Sequence, residues 1–462
     1  MSVVGAIVVP HPPIILPEVG RGEEQKISAT DEAYRKAAAF VGELEPETIV
    51  LLSPHSVMYT DYFHISPGKG AKGNMGQFRA PQVKFEVSYD NAFVRELSDR
   101  ASAAAFPAGT VGDRNPELDH GTMIPLYYIN RYCTEYQLVR IGLSGLPLTD
   151  HYRLGQMIRQ TADFLGRRVV IVGSGDLSHK LREDGPYGLS KEGPEYDERI
   201  MDVMSRAAFD ELFDFDEVFC DTAAECGHRS FCIMAGALDG LAVRTESLSH
   251  EGTFGVGYGV CTYLVTGEDP SRCCLDVWKE RQKKILEEKR HKEDAYVRLA
   301  RASVCSWVGK GKKLVLPEDL PEEMLQDRAG VFVSLHKDGR LRGCIGTIQA
   351  ARRNIAEEIV ENGISAATKD PRFSPVRPEE LESLEISVDV LGEPEKISSK
   401  DELDVKRYGV IVTKGFQRGL LLPNLDGVDT VDEQLKIALR KAGLSEWEKS
   451  FEMERFEVVR HV

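Results

Sequence analysis

Two histidines each stand directly behind a short apolar run. His11 sits in Ala6-Ile7-Val8-Val9-Pro10-His11-Pro12-Pro13, and His55 in Ile49-Val50-Leu51-Leu52-Ser53-Pro54-His55-Ser56. A buried strand ending in Pro-His sets an imidazole at the carboxyl edge of a sheet, where open α/β folds gather ligand sites. Two such edges in one domain point to one shared metal centre. Three more polar strings sit at comparable places: Asp119-His120-Gly121 ahead of an apolar helix, Gly175-Asp176-Leu177-Ser178-His179 behind a strand, and Glu225-Cys226-Gly227-His228 where a helix begins.

A first-row metal with open coordination positions commonly takes two imidazoles and one carboxylate on one face, leaving room for substrate and dioxygen. His11 and His55 would supply the imidazoles, and Glu225 or Cys226 the third ligand. A carboxylate keeps the site iron-like, whereas a thiolate moves preference toward copper or zinc. Neighbours on a helical turn point about 100° apart, so one of the pair is expected to coordinate. His120 and His179 remain as imidazoles for proton transfer. Each string alone has an ordinary structural reading: a turn histidine, an Asp119 helix cap, a core Cys226 or Cys232. The weight lies in their shared placement. Tyr59, Tyr62, Tyr127 and Tyr128 could line a pocket, but their spacing favours core packing.

A second concentration of chemistry lies in Gly330–Gly346. Asp338-Gly339 signals a hairpin turn between two apolar strands. Arg342-Gly343-Cys344-Ile345-Gly346 then sets glycines on both sides of a cysteine near an arginine, a neighbour that can favour a thiolate; the alternative is a buried cysteine beside a bulge.

The elements that must position these residues alternate as in βαβ units over the first ~265 residues. Strands are predicted at Val3–Val9, Thr48–Leu52, Gln137–Ile141, Arg168–Gly173 and Phe254–Val265. Helices are predicted at Gln25–Glu43, Asn91–Ala105, Thr149–Phe164, Glu195–Ala208 and Arg229–Gly240. Val277–Ala302, dense in both charges, reads as one solvated helix. Beyond it, strands at Gly330–Leu335, Arg340–Gly346, Leu384–Leu391, Gly409–Thr413 and Leu420–Leu422, with helices near Ala350–Lys369 and Val431–Ala442, indicate an α+β domain. At 462 residues, two or three domains are expected. A formal charge of −16 argues against nucleic-acid binding, which needs a basic footprint. No apolar run approaches the ~18–20 residues of a membrane span, and no secretory signal is visible. The nine scattered cysteines fit a reducing, cytoplasmic setting.

The order Pro-His-Pro-Pro, Ser-Pro-His, Asp-His-Gly, Gly-Asp-Leu-Ser-His and a late Glu-Cys-Gly resembles the class III extradiol ring-cleaving dioxygenases of the LigB type, and the Memo proteins that share their fold. The likeness spans residues 1–268 and implies a mixed sheet flanked by helices. It also implies His11 and His55 as Fe(II) ligands, a late glutamate as third ligand, His179 as base and His120 as a second catalytic imidazole. Memo-like proteins carry Cys-Gly at the late position, which matches Cys226-Gly227. The implied activity is an iron-dependent dioxygenase opening a catechol-like or related small aromatic substrate with dioxygen. The alternative is a zinc- or copper-binding Memo-like scaffold or redox protein.

Leu341-Arg342-Gly343-Cys344-Ile345-Gly346, with Tyr296–Arg301, Asp370-Pro371-Arg372-Phe373, Glu385–Leu391 and Gly419–Pro423, resembles the AMMECR family over residues 288–462. Residues 269–287 form a charged helical linker between the two. The family names no reaction, but it implies Arg342, Cys344, Asp370 and Arg372 near a shared cleft. The fusion resembles the AmmeMemoRadiSam system proteins, which implies separate Memo-like and radical S-adenosylmethionine partners. A homodimer is among the expected assemblies.

Overall fold

The computed structural model describes residues 2–462 apart from Pro116, Asp338, Asp426 and Lys449. The chain divides into two compact units between Arg281 and Gln282.

In the first unit, β1 (Val3–Val9), α1 (Ser28–Glu43), β2 (Thr48–Ser53), α2 (Asn91–Ala103), α3 (His120–Ile129), β3 (Gln137–Gly142), α4 (Leu148–Leu165), β4 (Val169–Ser174), α5 (Glu192–Arg206), α6 (His228–Ala237), β5 (Leu241–Glu251) and β6 (Tyr258–Glu268) follow one another. They build a six-stranded sheet in the order β3-β2-β4-β1-β6-β5. The first four strands are parallel; β6 runs antiparallel to both β1 and β5. The central strands are buried on both faces, which is why they read as unbroken apolar runs. One face packs Val8, Leu52 and Ile171 against α2, α4, α5 and α6. The other packs Ile7, Leu51 and Val172 against α1 and α3.

Register positions the site. Gly173 of β4 pairs with Val8 of β1 and with Leu52 of β2, so these three strands leave the sheet in one row. His11, His55 and Asp176 each follow their row residue by three positions. Strand β5 and the hairpin of Gly70–Met75 with Ala80–Ser88 carry no clear alternation in the sequence and were not anticipated.

The charged stretch is two helices, not one: α7 (Cys274–Lys292) ends, and α8 (Ala295–Lys310) begins at Asp294, whose carboxylate accepts from the Tyr296 and Val297 amides. That cap restarts the helix where charge density suggested continuity.

The second unit is α+β. After α8 come β7 (Val331–Lys337), β8 (Arg340–Gly346), α9 (Ile355–Thr368), β9 (Leu384–Leu391), β10 (Glu395–Ile397), β11 (Gly409–Lys414), β12 (Gln417–Leu421), α10 (Val431–Lys441), β13 (Glu452–Phe456) and β14 (Val458–His461). They form two four-stranded sheets, β8-β7-β9-β14 and β10-β13-β11-β12. Helices α8 and α9 cover the first and α10 the second. The hairpin joining β7 and β8 pairs Lys337 with Arg340 and has Gly339 at φ +74°; Asp338 of the predicted turn lies outside the described residues. Strands β10 and β13 are short and charge-rich and β14 is only 4 residues long, so none carries an alternation by which to predict it.

Candidate metal centre and a second polar cluster

The loops behind β1 and β2 and the turn ahead of α6 bring His11, His55 and Cys226 together. One ligand atom from each lies within 4.8 Å of the others. His11 Nε2 stands 3.0 Å from His55 Nε2 and 3.6 Å from Cys226 Sγ. Tetrahedral bonding with metal–N of ~2.0–2.1 Å and metal–S of ~2.3 Å puts donor atoms roughly 3.3–3.6 Å apart. The residues therefore fit a small cation. His11 is fully buried while His55 is exposed, so the centre opens to solvent on the His55 side.

Burial, reinforced by His55, pulls the His11 pKa well below its ordinary value, which favours the neutral imidazole that a metal requires. Burial pushes the Cys226 thiol well up, so in the metal-free protein the sulfur keeps its proton, and a cation must displace it.

The surroundings hold these groups in place. The His11 amide donates to Asp176 Oδ1 at 2.7 Å, and His11 Nδ1 lies 2.9 Å from Ser174 Oγ. The Asp176 amide points at Cys226 Sγ at 3.3 Å, linking the loop behind β4 to the turn ahead of α6. That approach needs glycine at position 175: a Cβ there would fall 2.1 Å from Gly227 Cα, while one on Gly227 would fall 2.4 Å from Phe231 Cζ. Ser53 Oγ donates to Asp119, which caps α3 through the Thr122 amide. This cap makes His120 the first residue of α3, and its ring stacks on His55 at 4.0 Å between centroids. Burial, with His55 and His11 adding repulsion, lowers the His120 pKa to about 4. His179 Nδ1 donates to the Ala224 carbonyl at 2.5 Å, leaving Nε2 free, and Tyr187 stands edge-on to its ring at 5.2 Å.

Glu225 does not join the group. Its carboxylate accepts from the His228 amide at 2.6 Å, closing the start of α6, and burial raises its pKa to about 7. The expectation of a carboxylate as third ligand is corrected accordingly: the residue that faces the imidazoles is the thiol one position later. His228 is core, held by Tyr196 and the Leu212 carbonyl. Tyr128 stacks on Tyr34 and donates to Asp31, and Tyr127 reaches Glu18. Tyr59 Oη accepts from the Asp113 amide. The aromatic neighbours of the imidazoles are instead Phe78, 5.3 Å from His120, and Tyr187. Neither lies beside a legible motif, and Ser174, though next to one, was passed over as the end of a strand.

In the second unit, Asp370 organises a polar cluster. Its carboxylate accepts from the Cys344 amide at 2.9 Å and from Arg372 through Nε and a terminal nitrogen at 2.9 and 2.7 Å. Arg372 also reaches the Cys344 carbonyl at 3.3 Å, and Ser334 Oγ donates toward Cys344 Sγ at 3.3 Å. Arg342 is engaged elsewhere: it grips Glu380 with two bonds of 3.0 Å and reaches the Ser374 carbonyl. Glu380, the partner missed in the sequence, is drawn down to about 2 chiefly by this arginine. Cys344, Asp370 and Arg372 thus meet, whereas Arg342 ties β8 to the segment before β9.

No helix among the described residues is long and apolar enough to cross a membrane. Residues 5–261 match the family model described as the catalytic LigB subunit of aromatic ring-opening dioxygenase, and residues 297–461 match AMMECR1. Protein CA_C1420 of Clostridium acetobutylicum is 41% identical over 100% of this chain and 99% of its own length. A protein of Thermotoga maritima is 52% identical over 37% of this chain and 98% of its own. The crystal structure of an uncharacterized protein, PH0010 from Pyrococcus horikoshii, is 34% identical, covering 36% of this chain and 88% of its own, with a TM-score of 0.34. The polar strings behind the strands, the sheet that sets them level and the two family models agree that the chain belongs to the LigB family over its first unit and carries an AMMECR1 domain in its second.

Proposed function

We propose that the first unit is a metal-dependent LigB-family protein whose His11, His55 and Cys226 hold zinc or copper. The observation that carries this reading is the position of Cys226 Sγ, 3.6 Å from His11 Nε2, with the neighbouring carboxylate turned onto the start of α6. A thiolate among imidazoles favours zinc or copper over the harder iron triad. Once bound, such a cation supplies Lewis acidity and an open position for a small molecule. The chain's own residues do the rest. Exposed His55 marks the side from which a ligand arrives. Phe78 and the His120 ring offer an apolar wall on that side. His179 Nε2, left free by the bond from Nδ1 to Ala224, can take a proton from an acidic hydroxyl.

That free imidazole also favours a second reading, aromatic ring opening with iron and dioxygen, in which His179 removes a proton from a catechol-like substrate. One experiment separates the two. Protein purified without oxygen is loaded in parallel with Zn(II), Cu(I) and Fe(II), and metal content is measured. The expected result is one zinc or copper per chain and weaker iron retention. His11→Ala and His55→Ala should lose the metal, and His179→Ala should keep it. Tight Fe(II) binding with a yellow ring-opened product from a catechol, lost in His179→Ala, would replace the first reading with the second.

A further inference from the structure

A ligand histidine must present one particular nitrogen, and the proton on its other nitrogen decides which. For His11 that decision can be traced through three elements. Ser174 Oγ lies 2.7 Å from the carbonyl of Gly121 and 2.9 Å from His11 Nδ1. A carbonyl cannot donate, so the hydroxyl proton points at Gly121. Ser174 therefore faces His11 with a lone pair, and Nδ1 must carry the proton. The lone pair of Nε2 is then left toward His55 and Cys226.

The Gly121 carbonyl is available for a reason written in the sequence. In an α-helix it would accept from the amide of the residue four positions on. That residue is Pro125, inside α3, and proline has no amide hydrogen to give. All the partners are buried: His11 is 1% exposed, and Ser174 and Pro125 are enclosed. Solvent cannot substitute for any of them.

We infer that Ser174 is a positioning residue that locks His11 as an Nε2 metal ligand, by passing to it the carbonyl acceptor that Pro125 leaves open in α3. The inference rests on the reading of His11 as a ligand, but it makes its own claim about the metal-free protein. With Nε2 of His11 unprotonated, the 3.0 Å contact to His55 requires His55 to donate from Nε2. His55 must therefore shift that proton before it can coordinate through the same atom.

The test uses the full chain with ¹⁵N-labelled histidine. In the metal-free protein, two-bond ¹H–¹⁵N correlations should show His11 protonated at Nδ1 and bare at Nε2. Ser174→Ala should mix the two tautomers and weaken Zn(II) binding about 10- to 100-fold, as loss of an orienting partner does, at unchanged stoichiometry. Ser174→Thr, which keeps the hydroxyl, should restore the spectrum and most of the affinity. A bare Nδ1 on His11 in the wild type overturns the inference, as does wild-type zinc affinity in Ser174→Ala. Should the wild type bind neither zinc nor copper, the metal reading falls, and the spectrum alone still decides the nitrogen assignment.

Discussion

The two cysteine clusters of this molecule differ in what they leave unanswered. Around Cys344 the charges are largely paired: Asp370 is matched by Arg372 and an amide, and Arg342 by Glu380, while Lys441 feels both Cys344 and Arg372. Around Cys226 the reverse holds. Two imidazole nitrogens and a thiol converge, and Asp176, the nearest carboxylate, gives one oxygen to the His11 amide and keeps the other 4.0 Å from His11 Nε2. Donor atoms brought this close could hold an external cation. A cysteine next to basic residues is thus a poor guide to metal binding; convergent ligand atoms are the better sign.

Four perturbations should widen or collapse that contrast. The largest effect is expected from Cys226→Ala, which should remove bound zinc or copper almost completely, whereas Cys344→Ala should leave metal content unchanged; elemental analysis of both variants checks this. Next, Asp370→Asn removes a charged acceptor from an amide and a guanidinium. It should destabilise the second unit by about 1–3 kcal/mol, read by denaturant unfolding, with metal content of the first unit intact.

Acid should act in the same direction. The Glu380 pKa is held at about 2, below its ordinary 4.5. A depressed carboxylate contributes stability that is full above the unfolded value and fades as pH falls through the folded one. Wild type should therefore lose stability between about pH 4.5 and 2, and Glu380→Gln should flatten that limb. The smallest effect belongs to Arg342→Lys. It exchanges a two-pronged grip for a single point of charge and should cost about 1 kcal/mol or less at a partly exposed pair.

Much of the scaffold was legible because its signals are local. Unbroken apolar runs gave β1, β2 and β4, and the Pro-His strings behind them hold two of the three residues that converge at the candidate centre. Their equal offset from one register row could not be read, since pairing between strands far apart in the chain leaves no mark on any single window. The choice between Glu225 and Cys226 was equally hidden. It is made by the turn before α6, where the carboxylate finds the His228 amide. Ser174 falls one position past the predicted strand; the role inferred for it depends on a carbonyl fifty-three positions earlier and on a proline in the same helix. Strands β10, β13 and β14 escaped because their stability comes from neighbours rather than from their own alternation.

The bare backbones of Gly175 and Gly227, pressed together where any added carbon would collide, have an evolutionary corollary. A methyl group on Gly175 would push away the turn that carries Cys226, and one on Gly227 would strike the Phe231 ring. A lineage could silence the centre through a single Gly→Ala exchange, leaving every ligand codon untouched. A survey of ligand residues alone would then count a dead copy as live.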